Sequence, residues 1–220
     1  MTPLLLSVDT THEFGSLALL RGDDVQDEVL LHSPEGFGHI LYNHLDRLLA
    51  RHHAKVHQVD CFAVASGPGS FTGVRIGLAA VKGLAEATGK PAVAVSNLQA
   101  LAMFGTLPFR ATLLDARRGE VYAAIYDSNG NIVQPEAVLK FRDWLASLPA
   151  GEVEVLSTDP APFLPSLPPG AKITAVPRAL AGAVGRIACR VYQYGEAREP
   201  AALDANYVRR SDAELFWKDG

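Results

Sequence analysis

Hydrophobic and polar residues alternate over the first 30 positions in a pattern typical of short strands separated by turns. The alternation predicts strands at 4–8, 15–20 and 25–31, with a turn at Gly22-Asp23-Asp24 between the last two. Three consecutive strands joined by short turns predict an antiparallel meander at the start of the chain.

The pattern then changes to helical spacing. Six apolar residues recur three or four positions apart and predict an amphipathic helix whose start lies near Ser33-Pro34-Glu35. They are Phe37, Ile40, Leu41, Leu45, Leu48 and Leu49. An apolar run at 60–66, bounded by glycine and proline, predicts a strand buried on both faces. A helix at 74–88 and a strand at 92–95 follow, and Ser96 is placed to cap another helix that runs to about residue 104. Strands that alternate with helices imply parallel pairing.

From residue 111 the plan of the first half repeats. A strand ending at Asp115 leads through a turn into strands at 120–126 and 132–139, as a strand ending at Asp9 does in the first half. A short helix at 141–147, strands at 153–156 and 173–176 and a helix at 180–194 complete the prediction. Six of the 14 prolines fall in 160–177, which predicts an irregular surface loop.

A duplicated β-β-β-α-β-α plan is the outline of the α/β actin-like ATPase (ribonuclease H-like) fold, which has two similar lobes with a cleft between them. We predict lobes at 1–106 and 107–220. In this architecture the turn after the first strand of each lobe reaches toward nucleotide phosphates. Asp9 and Asp115 open those turns here, and two roles fit them: binding magnesium, or accepting hydrogen bonds from turn amides.

The most informative segment is the glycine-rich run at 67–77, Gly-Pro-Gly-Ser-Phe-Thr-Gly-Val-Arg-Ile-Gly, at the junction of a buried strand and a helix. Its backbone amides could hold an anion at the helix N-terminus, or its glycines could allow a tight strand-to-helix turn. The run lacks the Gly-Lys-Ser/Thr ending of a Walker loop and misses the dinucleotide fingerprint by one residue. Spacing alone leaves both roles open.

Charge and composition restrict the partners. The formal net charge is −4 with a pI near 6.0, and the absence of a basic face predicts that RNA is contacted only through a partner protein. No apolar run approaches the roughly 18 residues of a membrane span, and the N-terminus lacks a basic start, so we expect a cytoplasmic protein without membrane attachment. Cys61 and Cys189 have no second cysteine nearby, and we expect both to be reduced and buried.

Six of the seven histidines lie between His32 and His57. His53 and His57 are four positions apart, the spacing of a metal pair on a helix. Histidines close to the C-terminus of a helix are also accounted for by its dipole, and we predict no metal site.

Taken whole, the 67–77 segment resembles the signature of the TsaB (YeaZ) family. Further matches are Ser-Val-Asp-Thr-Thr at 7–11, Asp-Ala-Arg-Arg-Gly-Glu-Val-Tyr at 115–122 and Asn-Tyr-Val-Arg-Arg at 206–210, so the resemblance covers nearly the whole chain. It implies an actin-like fold and membership of the bacterial complex that transfers a threonylcarbamoyl group from its adenylate to adenosine 37 of tRNA. The implied role is a non-catalytic scaffold that binds and activates the catalytic paralogue TsaD.

The resemblance also implies partners and site residues. The catalytic paralogue carries a metal-binding His-x-x-x-His pair where this chain has Asn97 and Leu101. Implied partners are a TsaD-type subunit, a TsaE-type ATPase and a second copy of the chain when it is alone, with ATP or ADP and magnesium as possible cofactors at the partner interface. Residues implied to face nucleotide or phosphate are Asp9, Thr10, Thr11, Gly67, Gly69, Ser70, Asp115 and Arg117. Residues implied at the partner or dimer interface are His39, Tyr42, Thr72, Val74, Arg75, Ile76 and Leu78.

Two other functions stay open from the sequence. The duplicated lobes and the glycine turn also fit an independent actin-like ATPase or phosphotransferase. A glycoprotease-like peptidase is the third possibility, for which the sequence offers neither a metal pair nor an activated nucleophile.

Overall fold

The computed structural model describes residues 2–167 and 172–208 and contains two five-stranded mixed sheets. The first sheet consists of β1 (Leu4–Asp9), β2 (Phe14–Arg21), β3 (Asp24–His32), β4 (Cys61–Ala65) and β5 (Ala92–Val95), in the order β3-β2-β1-β4-β5. The second consists of β6 (Phe109–Arg117), β7 (Glu120–Asp127), β8 (Ile132–Lys140), β9 (Val153–Ser157) and β10 (Lys172–Ala175), in the order β10-β9-β6-β7-β8.

The two sheets have the same topology. In each, the first strand is central, pairs antiparallel with the second and parallel with the fourth, and the third strand forms an edge. The repeated strand order confirms the duplicated α/β architecture that the alternating pattern predicts.

Five α-helices accompany the sheets within the described residues: α1 (Leu41–Arg51), α2 (Phe71–Thr88), α3 (Asn97–Ala102), α4 (Phe141–Ala146) and α5 (Ala181–Gln193). The predicted first helix starts later than expected, because Phe37 lies in a turn between Gly36 and Gly38 and Gly36 has a φ of 89°. Glycines on both sides of Phe37 disfavour helix there. Phe37 nevertheless packs into the core, which explains why its position continues the apolar pattern.

The second lobe departs from the plan of the first. Where α2 connects β4 to β5, the described residues between β9 and β10 contain no α-helix and form only a short 3₁₀ turn at Leu164–Ser166. Proline-rich sequence accounts for this, because proline removes the backbone donors that a helix needs. Apart from this turn, residues 160–167 are irregular as predicted, and residues 168–171 lie outside the described residues. The predicted loop over 160–177 is wrong at its end, because β10 occupies Lys172–Ala175 and pairs with β9.

Helices cover both faces of the first sheet. Two helices, α3 and α5, each pack on the sheet of the other half of the chain. The side chains of Leu4, Leu6 and Val8 face α1 and α2, whereas Leu5 lies in the cluster with α5. α5 belongs to the second half of the chain yet packs on the first sheet, and α3 belongs to the first half yet packs on β6 and β7. The division at residues 106 and 107 stays a prediction, and the crossed helices tie the two sheets together.

α5 begins where side chains of the first lobe bind its N-terminal amides. Ser16 Oγ accepts hydrogen bonds from the amides of Leu180 and Ala181 at 3.0 and 2.9 Å. The carboxylate of Glu28 accepts one from the Gly182 amide at 2.7 Å, and burial raises the pKa of this glutamate. These bonds replace a local N-cap and fix the helix on the sheet.

Both cysteines are buried in the cluster beneath α5 and are free thiols, as predicted, and burial raises the pKa of Cys61 to about 12. Across the described residues, every helix is too short or too polar to cross a membrane.

Candidate functional site

The turn after β1 is built around the carboxylate of Asp9, which is 1% exposed. Its Oδ1 accepts hydrogen bonds from the Thr11 amide at 2.9 Å and from Thr11 Oγ1 at 2.6 Å. Thr10 Oγ1 donates to the Gly73 carbonyl at 2.7 Å, which fixes the turn on α2. Asp115 repeats the arrangement by accepting from the Arg117 amide at 2.8 Å. Both aspartates thus accept hydrogen bonds from turn amides, the second of the two roles that the sequence leaves open.

Asn97 connects this turn to the glycine-rich corner. The side chain is fully buried; its Nδ2 donates to Thr11 Oγ1 at 2.8 Å and its Oδ1 accepts from the Gly67 amide at 3.1 Å. Leu101, one helical turn later, is fully buried in the core between α3 and the second sheet. At the two positions where the resemblance implies histidines in a catalytic paralogue, the side chains of this chain serve hydrogen bonding and packing.

The glycine-rich corner packs directly against the Asp9 turn. A Cβ at Gly73 would overlap the Thr10 carbonyl oxygen, one at Gly69 would overlap the Thr11 carbonyl oxygen, and one at Gly77 would lie 2.7 Å from Thr10 Oγ1. The absence of side chains at these glycines lets α2 approach β1 closely.

The amides of the corner are engaged within the protein. The Ser70 amide donates to the Thr11 carbonyl at 2.6 Å, and Ser70 Oγ accepts from the Gly73 amide at 3.3 Å as the N-cap of α2. Together with the bond from Gly67 to Asn97, these contacts favour the tight-turn role over the anion-binding role.

A cleft of about 230 Å³ lies between the lobes, where the turn after β1 faces the C-terminal end of β6. It is lined by Asp9, His12, Glu13 and Phe14 from the first lobe and by Leu114, Asp115, Arg117, Ser157, Thr158, Asp159, Pro162, Arg178 and Leu180 from the second half of the chain. The structure thus brings Asp9, Asp115 and Arg117 of the predicted nucleotide-facing set to one cleft. Thr10, Thr11, Gly67, Gly69 and Ser70 are absent from its lining, and they form the packed corner instead.

The charges of this lining are unfavourable for a polyphosphate. Four carboxylates line the cleft against two guanidinium groups. Arg117 lies 3.8 Å from the Asp115 carboxylate, and the Arg178 guanidinium is stacked 4.3 Å from the Phe14 ring centroid. Excess negative charge in a cleft repels an anionic ligand. Within residues 2–167 and 172–208, no group of three or more histidine, cysteine or acidic side chains is arranged to hold a metal ion.

His12 is a cleft residue whose ring is held by a defined hydrogen bond. Because Thr11 Oγ1 donates its proton to Asp9, it accepts from Asn97 and from His12 Nδ1, which lies 2.8 Å away. Burial lowers the pKa of His12, against the opposing effect of the Asp9 charge. A neutral imidazole with the proton on Nδ1 satisfies this network and leaves Nε2 as an acceptor.

Several cleft residues were missed at the sequence level. Ser157 ends β9 and is followed by Thr158 and Asp159, as Ala65 ends β4 before residues 66–67, so the duplication could have indicated these positions. Arg178 lies beyond the proline-rich loop, where the repeat is lost, and its sequence carries no comparable signal.

The predicted interface residues divide into two groups. His39, Tyr42, Thr72 and Arg75 are exposed and Ile76 is half-buried. Val74 and Leu78 are only 3% and 7% exposed and pack in the core of the single chain, because they lie on the face of α2 that meets the sheet. These two side chains are not available on the surface for a partner.

Known proteins are similar to this chain in sequence. The family model described as TsaD, tRNA N6-adenosine threonylcarbamoyltransferase, matches residues 36–174. The tRNA threonylcarbamoyladenosine biosynthesis protein TsaB of Bacillus subtilis is 34% identical over 164 residues, which are 69% of this chain and 69% of that protein. TsaB of Escherichia coli is 35% identical over 144 residues, 62% of each.

A solved structure agrees over almost the whole length. YeaZ from Pseudomonas aeruginosa superposes with a TM-score of 0.81 at 27% identity and covers 93% of this chain and 99% of that one. The sequence identity to the TsaB proteins and the fold shared with YeaZ show that the chain belongs to the TsaB (YeaZ) family of tRNA threonylcarbamoyladenosine biosynthesis proteins.

Proposed function

We propose that this chain is the non-catalytic scaffold subunit of the complex that forms threonylcarbamoyladenosine at position 37 of tRNA, and that it binds and activates a TsaD-type catalytic subunit. The observation that carries the proposal is the environment of Asn97. This side chain holds Gly67 and Thr11 together in the place where the catalytic paralogue binds its metal. An amide committed to two structural hydrogen bonds, followed by a core leucine, supplies no metal ligand.

Reconstitution tests the proposal directly. We expect the purified chain to modify no tRNA alone, and full activity to appear when it is combined with TsaD- and TsaE-type subunits, threonylcarbamoyl-adenylate, ATP and tRNA. The product is measured as modified nucleoside after tRNA digestion. Full activity of the other subunits in the absence of this chain would contradict the scaffold role.

The docking surface we propose is the outer side of α1 and the N-terminal part of α2. These helices cover the same face of the first sheet, so their exposed residues are presented on one side of the lobe. His39, Tyr42, Thr72, Arg75 and Ile76 remain in this proposed surface. Tyrosine and arginine are the residue types that most often dominate the energy of protein interfaces.

Replacing Tyr42 with aspartate tests this surface. Tyr42 is 54% exposed, so the substitution leaves the core intact while placing a charge in the interface. We expect affinity for the TsaD-type subunit to fall at least about tenfold, measured by titration calorimetry. Tyr194→Asp is the matched control, because Tyr194 is 81% exposed at the end of α5 and lies outside the proposed surface. If both variants bind the TsaD-type subunit with equal affinity, the proposal that α1 lies in the interface is wrong.

The remaining assignments follow from the scaffold role. We include a TsaE-type ATPase among the partners, a homodimer through the same helical surface when the chain is alone, and a cytoplasmic location. With a net charge of −4, the chain contacts tRNA only through the complex. ATP or ADP with magnesium belongs at the partner interface, because the charges of the chain's own cleft disfavour a polyphosphate.

A further inference from the structure

Residues 203–207, which we call the C-terminal strap, return to the first lobe after α5. Leu203 is buried at 2% exposure in the core beneath α2. The Asn206 amide donates to the Ser66 carbonyl at 2.8 Å, directly after β4. The Asn206 carbonyl oxygen lies so close to Gly67 that a Cβ there would be 3.1 Å from it. The strap is therefore held against the glycine-rich corner.

The far end of the strap is fixed on α2. The Arg75 Nε donates to the Tyr207 hydroxyl at 3.1 Å, and the rings of Tyr207 and Phe71 stack with centroids 5.8 Å apart. The Arg75 guanidinium lies 3.7 Å from the Phe71 ring centroid and completes the cluster. Because Leu203 and Tyr207 are anchored on both sides of it, Asn206 is presented in one position.

From that position the Asn206 side chain reaches the second lobe. Its Nδ2 donates to Glu136 Oε2 on β8 at 2.6 Å, and Glu136 Oε1 accepts from the Tyr126 hydroxyl on β7 at 3.0 Å. Tyr126 is 2% exposed, and burial together with the Glu136 charge raises its pKa, so its hydroxyl stays protonated and donates. Both oxygens of the half-buried carboxylate are thus occupied, and charge-assisted bonds of this kind are stronger than neutral ones.

We propose that the C-terminal strap locks the two lobes in one relative orientation, with the Asn206–Glu136 hydrogen bond as its closure. The bond joins the carboxyl end of β4 in the first sheet to the edge strand β8 of the second. This hydrogen bond therefore connects the two lobes at a site separate from α3 and α5. An inter-lobe cleft whose width is fixed in this way suits a rigid scaffold, whereas an enzyme that closes around its substrate needs domains that move.

Distance measurement between the lobes tests the lock. Spin labels attached to cysteines introduced at the exposed positions Ala87 on α2 and Ser128 in the β7–β8 turn report lobe separation by double electron–electron resonance. The native cysteines are buried and stay unlabelled in the folded chain. We expect one narrow distance population in the parent chain. Asn206→Asp places a carboxylate next to Glu136, and we expect it to add a second population of label distances. Asn206→Ala removes the hydrogen bond without adding a charge, and we expect it to add a second distance population as well.

A compensating pair separates the hydrogen bond from general damage. In Asn206→Asp combined with Glu136→Gln, the amide and the carboxylate exchange places, and the new amide oxygen at position 136 still accepts from Tyr126. We expect this double variant to restore the single population. Gln193→Glu, exposed at the end of α5 and outside the proposed docking surface, is the matched control for the added charge and should match the parent.

The proposal is overturned if both Asn206 single variants remain folded by circular dichroism and keep the parent distance distribution. It is equally overturned if the distance distribution of the double variant is as broad as that of Asn206→Asp alone. The labelled chain is measured without a TsaD-type subunit and is diluted with an excess of unlabelled chain, so that each distance lies within one chain. The result therefore does not depend on whether the docking surface on α1 and α2 is correct.

Discussion

Gly73→Ala is expected to destabilise the chain by about 3 kcal/mol, because a single methyl group at this position would overlap the Thr10 carbonyl oxygen. The overlapped atom belongs to the backbone of a buried turn and cannot rotate away as a flexible side chain could. Relief requires α2 to move from β1, which would also strain the hydrogen bond between Thr10 Oγ1 and the Gly73 carbonyl.

The same helix supplies the control for this substitution. Gly83 is exposed on α2, and a Cβ added there would have no other atom within 4 Å, so Gly83→Ala should stabilise the chain by about 0.5–1 kcal/mol through helix propensity. Urea unfolding followed by circular dichroism measures both variants. If Gly73→Ala raises the urea midpoint of unfolding as Gly83→Ala does, position 73 does not require glycine, and the argument from close packing at the glycine-rich corner is wrong.

The contrast between these glycines shows what local sequence can and cannot predict. The alternation of apolar residues at 4–8 and 15–20 depends on neighbours two positions apart, and the predicted strands lie within one or two residues of β1 and β2. The requirement for glycine at position 73 arises from Thr10, which is 63 positions earlier. No pattern within the glycine-rich run contains that information.

Helix faces show the same limit. The apolar spacing in 74–88 correctly indicates a helix, but Val74 and Leu78 meet the sheet, whereas the side of α2 that carries Thr72 and Arg75 meets solvent. Periodicity identifies an apolar face and does not say whether the chain itself or a partner covers it. α5 on the first sheet is missed for a similar reason, since crossing between lobes depends on tertiary packing.

Parts of the candidate site were accessible from the sequence because the duplication marks equivalent positions. Asp9 ends β1, whereas Asp115, predicted to end the corresponding strand, lies two residues before the end of β6; the structure places both at one cleft. His12 was missed, since its role depends on a proton that Thr11 gives to Asp9 and on the Asn97 side chain from a distant helix. Hydrogen-bond networks of this kind combine residues that no single motif contains.

Glu154→Gln is expected to cost about 3 kcal/mol of stability at pH 7 and to remove a specific acid dependence. Glu154, on β9, is 1% exposed, and its carboxylate accepts hydrogen bonds from the amides of Thr106 and Leu107 at 2.5 and 3.0 Å. Thr174 Oγ1 also donates to it, and Lys172 Nζ lies 3.0 Å away. The carboxylate therefore fixes the chain where it passes from the first sheet to the second.

The pKa of Glu154 determines the pH range of this effect. Burial alone would raise it, but the hydrogen bonds from Thr174, Thr106, Lys172 and Leu107 lower it to about 2, from an ordinary value of 4.5. The unfolded chain therefore binds the proton more readily than the folded chain between these values. The stabilisation is complete above pH 4.5 and is lost as the pH falls toward 2. A difference of this size corresponds to about 3 kcal/mol.

Denaturant unfolding across about pH 3–8 separates this contribution from that of the other acids. The difference in unfolding free energy between the parent and Glu154→Gln should narrow from about 3 kcal/mol at pH 7 to about 1 kcal/mol at pH 3, because protonation makes the parent resemble the variant. Glu152→Gln, two residues earlier and exposed, should show no such convergence. If the difference in unfolding free energy stays constant with pH, the glutamine side chain itself, and not the lost charge, causes the destabilisation. The connection between the sheets at Thr106 and Leu107 would then not depend on an ionised Glu154.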